Sequence, residues 1–167
     1  MKTLIICDSV FGNTMQIAQS MASAKSSENT ISCLNVKDVK ADDLKNIDLL
    51  IVGSPTRQFR ATPAIISFIA SIPDNALNGV NVAGFDTRIT LNVIKSRVFR
   101  FVVDKGGYAA KIIIEKLVKK GGKLIATPEG FFVSGEEGPL ADGEIKRAAA
   151  WAEKLYKQTT LTKEVMV

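Results

Sequence analysis

The sequence contains no histidine and only two cysteines among its 167 residues. Without histidine, a serine–histidine triad and a histidine general base are excluded, and so are most zinc sites. Both cysteines, Cys7 and Cys33, fall in segments predicted to be buried strands, where small core thiols are common. The apolar start Met1–Cys7 is too short for a secretion signal, so we expect a strand there and a reducing, cytoplasmic setting.

Long apolar runs are also missing. None approaches 18 residues, so no membrane-spanning segment is expected. Negative charge is scarce between Arg88 and Lys123, where ten basic residues meet only two acidic ones. This imbalance suggests an acidic protein partner or an anionic ligand, and a solvated helix face is an equally open interpretation.

The basic segment also carries aromatic residues between its cations, an arrangement that occurs in proteins that bind single-stranded nucleic acid. No known nucleic-acid motif frames these residues, so nucleic acid is not the expected partner. A salt-dependent contact with an acidic redox partner is favoured instead. Nothing in the sequence favours one oligomeric state.

Short apolar strands alternate with amphipathic helices along the whole chain. This order predicts an α/β fold, a doubly wound parallel sheet with helices on both faces and strand order 2-1-3-4-5. We expect one domain over residues 1–158 and a C-terminal tail, 159–167, that is loose or adds an edge element. The predicted strands are Thr3–Cys7, Ile31–Val36, Leu49–Gly53, Asn81–Phe85 and a fifth from Lys123 that extends, after a break, through Phe131–Val133. The predicted helices are Asn13–Ala24, Ala64–Ser71, Tyr108–Lys120 and Gly143–Gln158, with a short helical turn at Ala41–Asn46.

In such sheets, ligands bind at the carboxyl ends of the strands, beside the first strand. Three connections meet there, residues 8–14, 54–62 and 86–92. The first leads from a buried strand directly into a helix, so its backbone N–H groups and the helix dipole can converge on a phosphate. Ser9 and Thr14 supply hydroxyls at its two rims, Gly12 permits a positive φ, and Asn13 can brace the turn.

Several phosphate-binding motifs are absent. The sequence has no GxxxxGK[ST] and no GxGxxG after the first strand, which argues against a P-loop NTPase and a dinucleotide fingerprint. A low-molecular-weight tyrosine phosphatase needs an arginine six positions after its cysteine, and Asn13 stands there. A response-regulator receiver needs an aspartate where Ser54 and Pro55 stand. No Lys or Arg lies between Lys2 and Lys25, so neutral donors would hold the phosphate.

The segment Ser9-Val10-Phe11-Gly12-Asn13-Thr14 resembles the phosphate motif of flavodoxins, [ST]-x-[ST/F/Y]-G-N-T. The resemblance implies a flavodoxin-like fold and flavin mononucleotide (FMN) as cofactor, with these six residues around its phosphate. The alternative is an ordinary capped helix start.

The second connection resembles the GTPTR-type loop of flavodoxin-like quinone reductases, which runs along the flavin ring. The resemblance assigns to this loop Ser54, Pro55, Thr56, Arg57, Gln58 and Phe59. Pro55 stiffens the turn, Thr56 can hydrogen-bond a ligand edge, Arg57 can offer charge to the pyrimidine side and Phe59 can pack near the ring. A plain surface turn is the alternative.

The third connection begins with Phe85-Asp86-Thr87-Arg88, which in flavodoxins also flanks the ring. The stacking tyrosine that is common there is missing, which leaves Phe59, Phe99 and Tyr108 as candidates. Similarity to flavodoxin-like proteins extends through residues 129–133 and 135–140 to a helix with Trp151, which we expect to pack in the core.

The resemblance implies a redox protein, and the flavin itself supplies the chemistry. The first hypothesis is an electron carrier between protein partners; the second is an NAD(P)H-dependent quinone or flavin reductase. A flavin-free regulatory relative is the third. Arg57 and Arg88 near the ring, with Asp86 as a partial counterweight, predict a less negative second reduction step than in acidic flavodoxins.

Overall fold

A computed structural model describes residues 1–24, 29–89 and 108–165 of the chain. Its parallel strands have the order β2-β1-β3-β4-β5, with β6 also paired to β4, so β5 and β6 share the fifth position. The predicted fold class and strand order are therefore confirmed. The strands are β1 Lys2–Cys7, β2 Thr30–Asn35, β3 Leu49–Pro55, β4 Asn81–Ile89, β5 Lys123–Leu124 and β6 Glu129–Val133.

Within the described residues, four helices cover the two faces of the sheet: α1 Asn13–Ser23, α2 Pro63–Ser71, α3 Ala109–Lys119 and α4 Glu144–Val165. Short 3₁₀ turns at Val36–Asp38 and Ala41–Leu44 connect β2 with β3. Because α2 begins with a proline, its first turn loses no hydrogen bond that a helix would otherwise make. In the part of the chain that the structure describes, none of the helices has the length and apolarity needed to span a bilayer.

Two apolar cores lie on opposite sides of the sheet, because successive strand residues point to opposite faces. Leu4 and Ile6 of β1 pack on the side of α2 and α3, in a core that includes Ile65 and Leu117. The core on the other side of the sheet, which faces α1 and α4, contains the buried residues Ile5, Cys7, Ile17, Met21, Phe131 and Leu155. The helices therefore hold a sheet whose central strands are apolar on both faces.

The fourth strand is longer than predicted. It runs to Ile89, because Ser54 and Pro55 of β3 pair with Asp86 and Thr87 on one side while β6 pairs with residues 85–89 on the other. The segment Phe85–Arg88 is thus the end of a strand, and its assignment to a loop was wrong.

The last helix is also longer than predicted. It continues past Gln158 to Val165, so the expectation of a loose tail or edge element from residue 159 was wrong for residues 159–165. Thr159 is fully buried, and Thr160 donates a hydrogen bond to the carbonyl oxygen of Tyr156. Trp151 packs edge-on against Phe131 with ring centroids 6.1 Å apart, which confirms its predicted packing role. Phe99, one candidate for stacking on the ring, lies outside the described residues.

Candidate cofactor site

A cavity of about 660 Å³ opens at the carboxyl edge of the sheet, beside the switch point between β1 and β3. Its size falls in the usual range for small-molecule sites, roughly 300–1,000 Å³. Ten of the sixteen predicted site residues line it: Val10, Phe11, Asn13, Thr14, Pro55, Thr56, Arg57, Gln58, Thr87 and Arg88. The three predicted connections therefore meet around one space.

The first loop presents unpaired backbone donors to this space. Gly12 precedes α1 with a φ of 86°, a left-handed conformation that glycine adopts readily. Within the described residues, the N–H groups of residues 10–14 donate to no protein acceptor. Adjacent unpaired N–H groups at the positive end of a helix dipole form an anion-binding cradle.

The side chains of this loop mostly hold the loop itself. Ser9 does not line the cavity; its Oγ accepts a hydrogen bond from the Met15 N–H at 3.1 Å and so caps the first turn of α1. The Thr14 hydroxyl, predicted to face the phosphate, is buried and shares a 2.8 Å hydrogen bond with the Thr87 hydroxyl. Asn13 was expected to brace its own turn. It instead donates from Nδ2 to the carbonyl oxygen of Glu137 at 2.9 Å.

The second connection is partly structural. Ser54 is fully buried and does not line the cavity; its Oγ accepts from the Thr62 N–H and donates to the Pro55 carbonyl oxygen. The Thr56 hydroxyl, which we expected to meet a ligand edge, accepts from the Ala109 N–H at 3.1 Å. Thr56 still lines the cavity, but its hydroxyl is already used by the protein.

A tight hairpin follows Thr56. Arg57 and Arg60 exchange two backbone hydrogen bonds, which places Gln58 and Phe59 at the tip with φ of 48° and 63°. Gln58 and Arg60 line the cavity, whereas Phe59 does not.

Arg57 lies at the cavity mouth, between the Phe11 ring and the Glu136 carboxylate. Its guanidinium carbon is 5.6 Å from the centre of the Phe11 ring, and Nη2 is 3.7 Å from a carboxylate oxygen of Glu136. Val10 and Phe11 beside it are 49% and 45% exposed. The mouth thus combines an ion pair with an exposed apolar surface.

The end of β4 contributes two lining residues, Thr87 and Arg88. Phe85 belongs to the core instead, with its ring 5.9 Å from that of Phe131 in an edge-on arrangement, and only a glycine at position 53 leaves room for it. Asp86 is fully buried and hydrogen-bonded to Arg88, so Phe85 and Asp86 do not face the cavity. Tyr108, a stacking candidate, lies with its ring centre 3.4 Å from the Arg88 guanidinium.

Sequence reasoning missed several lining residues that come from outside the three motifs: Arg60, Ala61, Thr62, Pro63, Ile89, Val133 and Glu136. Val133 and Glu136 belong to β6 and the connection that follows it, a fourth wall of the site. The only sequence signal for this wall is the similarity of residues 129–133 and 135–140 to flavodoxin-like proteins.

A known protein family matches most of this chain. The family model described as a flavodoxin domain matches residues 4–122, more than two thirds of the chain. The chain belongs to the flavodoxin domain family. A search of curated proteins finds no match.

Solved flavodoxins share the fold over almost the full length of both chains. Oxidised flavodoxin 1 from Bacillus cereus is 22% identical with a TM-score of 0.73, covering 94% of this chain and 98% of its own. A flavodoxin from the domain Archaea is 20% identical, also with a TM-score of 0.73, covering 96% and 99%. Rubredoxin oxygen:oxidoreductase from Desulfovibrio gigas is 17% identical with a TM-score of 0.72, and the match covers 96% of this chain and 36% of that one.

Membership of the flavodoxin family implies FMN binding, and the residues of the cavity fit this cofactor. The unpaired N–H donors of residues 10–14 suit a phosphate. The apolar lining residues Phe11, Pro55, Ile89 and Val133 suit a flat ring system. The fit is therefore one of chemistry as well as of fold.

Proposed function

We propose that this flavodoxin-family protein is an FMN-dependent electron carrier between protein partners, acting in the cytoplasm. The observation that carries the proposal is a single cavity that joins a cradle of unpaired N–H groups to an apolar wall and opens beside Val10 and Phe11. When bound, FMN supplies one-electron and two-electron redox chemistry. The presence of a similar fold within a rubredoxin oxygen:oxidoreductase supports a redox role.

The protein's own part is to bind and orient. The N–H groups of residues 10–14 hold the phosphate, and the Thr14–Thr87 hydrogen bond keeps that loop against the end of β4. Apolar lining residues exclude water from one side of the ring, and exposed Val10 and Phe11 offer a partner a short route to the cofactor. Both cysteines are free thiols, which supports the cytoplasmic part of the proposal.

Titration of the apo-protein with FMN and with riboflavin tests the cofactor assignment. Because riboflavin lacks the phosphate, we expect FMN to bind at least tenfold more tightly. Gly12→Ala introduces a Cβ at a φ of 86° and should weaken FMN more than riboflavin. Gly79→Ala is the matched control, since Gly79 has a similar φ of 81° and open space around it, and it lies outside the connections that meet at the cavity. Equal affinities for the two flavins would contradict the phosphate-binding role of the loop, and binding of neither flavin would favour a flavin-free regulatory relative.

A second candidate function is an NAD(P)H-dependent quinone or flavin reductase. The Gly53–Phe59 segment favours it, because this segment resembles the loop of quinone reductases and its hairpin forms one rim of the cavity. A steady-state assay with NAD(P)H and a benzoquinone separates the two functions. Turnover by the FMN-loaded protein would make it a reductase, whereas an electron carrier requires a separate reductase to be reduced.

We also propose that the protein partner has an acidic surface. On the described part of the basic segment, Lys111 is exposed in the first turn of α3, at the carboxyl edge of the sheet where the cavity opens. Exposed Arg57 and Arg60 line the rim of the same cavity, as do exposed Val10 and Phe11. Positive charge around exposed apolar side chains suits a transient, electrostatically steered contact. Reduction of the FMN-loaded protein by a reduced acidic ferredoxin should slow as ionic strength rises. It should slow further when Lys111 is changed to Glu, whereas Lys119→Glu and Lys123→Glu, at the opposite edge of the sheet, are the controls and should have little effect. A rate that depends on neither would contradict this part.

A further inference from the structure

The end of β4 carries a buried ion pair directly behind the cavity wall. Asp86 and Arg88 are two residues apart in a strand, so their side chains lie on the same face. Arg88 Nε donates to one carboxylate oxygen of Asp86 at 2.5 Å, and Nη2 donates to the other at 2.7 Å. Arg88 lines the cavity with a side chain that is 15% exposed, whereas the Asp86 side chain is fully buried.

Asp86 has a further donor besides Arg88. The Ala110 N–H at the start of α3 donates to Asp86 Oδ2 at 2.9 Å. Burial raises the pKa of Asp86, and the Arg88 guanidinium, the Ala110 amide and the Thr56 hydroxyl all oppose that rise. The positive end of the α3 dipole adds to this support for a negative charge.

Arg88 is held from two other directions. Its guanidinium carbon lies 3.4 Å from the centre of the Tyr108 ring, and a side chain at Gly130 of β6 would clash with the guanidinium. These contacts hold the Arg88 guanidinium in one position, and the Asp86 carboxylate compensates its charge. The second arginine of the site, Arg57, also has a carboxylate partner, Glu136. The sequence predicted Asp86 as a partial counterweight to the two arginines, and Glu136 is a second carboxylate that the sequence analysis did not include.

We propose that Asp86 is a positioning residue that fixes Arg88 in the cavity wall and cancels its charge, and that this pair sets the reduction potential of the bound cofactor. The inference rests on the proposed FMN function. An uncompensated cation beside the cavity favours added negative charge on a bound ligand, and an uncompensated anion disfavours it. The pair keeps the wall electrically balanced.

Redox titration of the FMN-loaded protein tests the inference. Asp86→Asn keeps the shape of the side chain and leaves Arg88 uncompensated, so the midpoint potentials should become less negative. The double variant Asp86→Asn/Arg88→Gln removes both charges and should return the potentials toward those of the wild type. Asp74→Asn is the matched control, because it breaks a surface ion pair with Lys120 that is 2.8 Å long and does not line the cavity.

A merely structural role predicts a different pattern. If Asp86 had only a structural role, Asp86→Asn and the double variant would both have a lower thermal midpoint. The midpoint potentials of both variants would then equal those of the wild type. If Asp86→Asn does not fold, Arg88→Gln alone carries the test, with the potentials measured over a pH series: above the pKa of the unpaired Asp86 its charge is uncompensated, and the potentials there should be more negative than those of the wild type. Unchanged potentials, or shifts of the opposite sign, would overturn the inference. A wild-type protein that binds no FMN would instead refute the proposed function.

Discussion

The side-chain amide of Asn13 donates to the carbonyl oxygen of Glu137 at 2.9 Å, across 124 positions of the sequence. The loop that begins α1 is thereby attached to the connection between β6 and α4. Gly138 packs against the same amide, and Glu136 lines the cavity. The loop of residues 9–14 and the fourth wall of the site therefore form one connected unit.

Replacement of Asn13 by Ala should loosen this unit. A partly buried side-chain hydrogen bond contributes about 1 kcal/mol, so we expect a decrease of about 1 kcal/mol in unfolding free energy. Urea denaturation of the apo-protein measures it, and the affinity for FMN should fall in the same variant. Gln16→Ala, on an exposed position of the same helix, is the control and should change neither. Equal behaviour of the two variants would contradict the role of the contact.

A methyl group at Gly138 should disturb the same unit more strongly. Gly138 has a φ of 106°, and a Cβ there would lie 2.5 Å from Asn13 Nδ2. We expect Gly138→Ala to lower the unfolding free energy by roughly 1–2 kcal/mol from backbone strain alone, with the steric overlap in addition. A Cβ at Gly135 would lie 3.5 Å from its nearest neighbour, the carbonyl oxygen of Gly138, and the φ of Gly135 is not in the left-handed region. Gly135→Ala should therefore remain close to the wild type in urea denaturation.

The parts of the site that the sequence predicts are those with a local cause. Gly12 follows a strand and precedes a helix, so its turn could be placed from its neighbours alone. The strand order followed from the alternation of apolar strands with amphipathic helices. The turn at Gly12 and the fold could therefore be predicted from the sequence alone.

The missed parts have non-local causes. The length of β4 depends on pairing with β6, forty residues later in the chain, and this pairing moves Phe85 into the core and Asp86 behind the cavity wall. Likewise, no pattern around Asn13 indicates the carbonyl of Glu137, and none around Arg88 indicates the ring of Tyr108. Such contacts depend on tertiary packing, which a single sequence does not display.

The hairpin at the cavity rim is strained. Gln58 and Phe59 both have positive φ, in a tight turn that natural hairpins usually build with Asn and Gly. A left-handed conformation costs an ordinary residue about 1–2 kcal/mol, and glycine adopts it freely. Gln58→Gly should therefore raise the unfolding free energy of the apo-protein by up to about 1 kcal/mol, measured in urea. Gln16→Gly, at an exposed helical position, should lower it by about 1 kcal/mol. A loss of stability in both would show that the turn is not strained.

Thr159 in α4 should tolerate the loss of its hydroxyl. The residue is fully buried, and within the described part of the chain its Oγ1 has no hydrogen-bond partner. Valine has nearly the same shape without the unpaired polar group, so Thr159→Val should raise the unfolding free energy by roughly 1 kcal/mol. Thr160→Val, which removes a hydrogen bond to the Tyr156 carbonyl, should not stabilise. Destabilisation by Thr159→Val, measured as a lower thermal midpoint, would contradict the absence of a hydrogen-bond partner for this hydroxyl.

Cys7 should make the protein less stable in alkaline solution. It is fully buried at the end of β1, and burial, with smaller contributions from Cys33 and Asp8, raises the pKa of its thiol from 9.0 to about 12. Above pH 9 the unfolded chain loses this proton while the folded protein keeps it, so unfolding becomes more favourable as the pH rises. One such group lowers the unfolding free energy by up to about 1.4 kcal/mol per pH unit between pH 9 and 12. Urea denaturation of the reduced apo-protein between pH 8.5 and 10 should give a steep decline for the wild type and a shallower one for Cys7→Ala. Parallel declines would show that the buried thiol is not the source of the pH dependence.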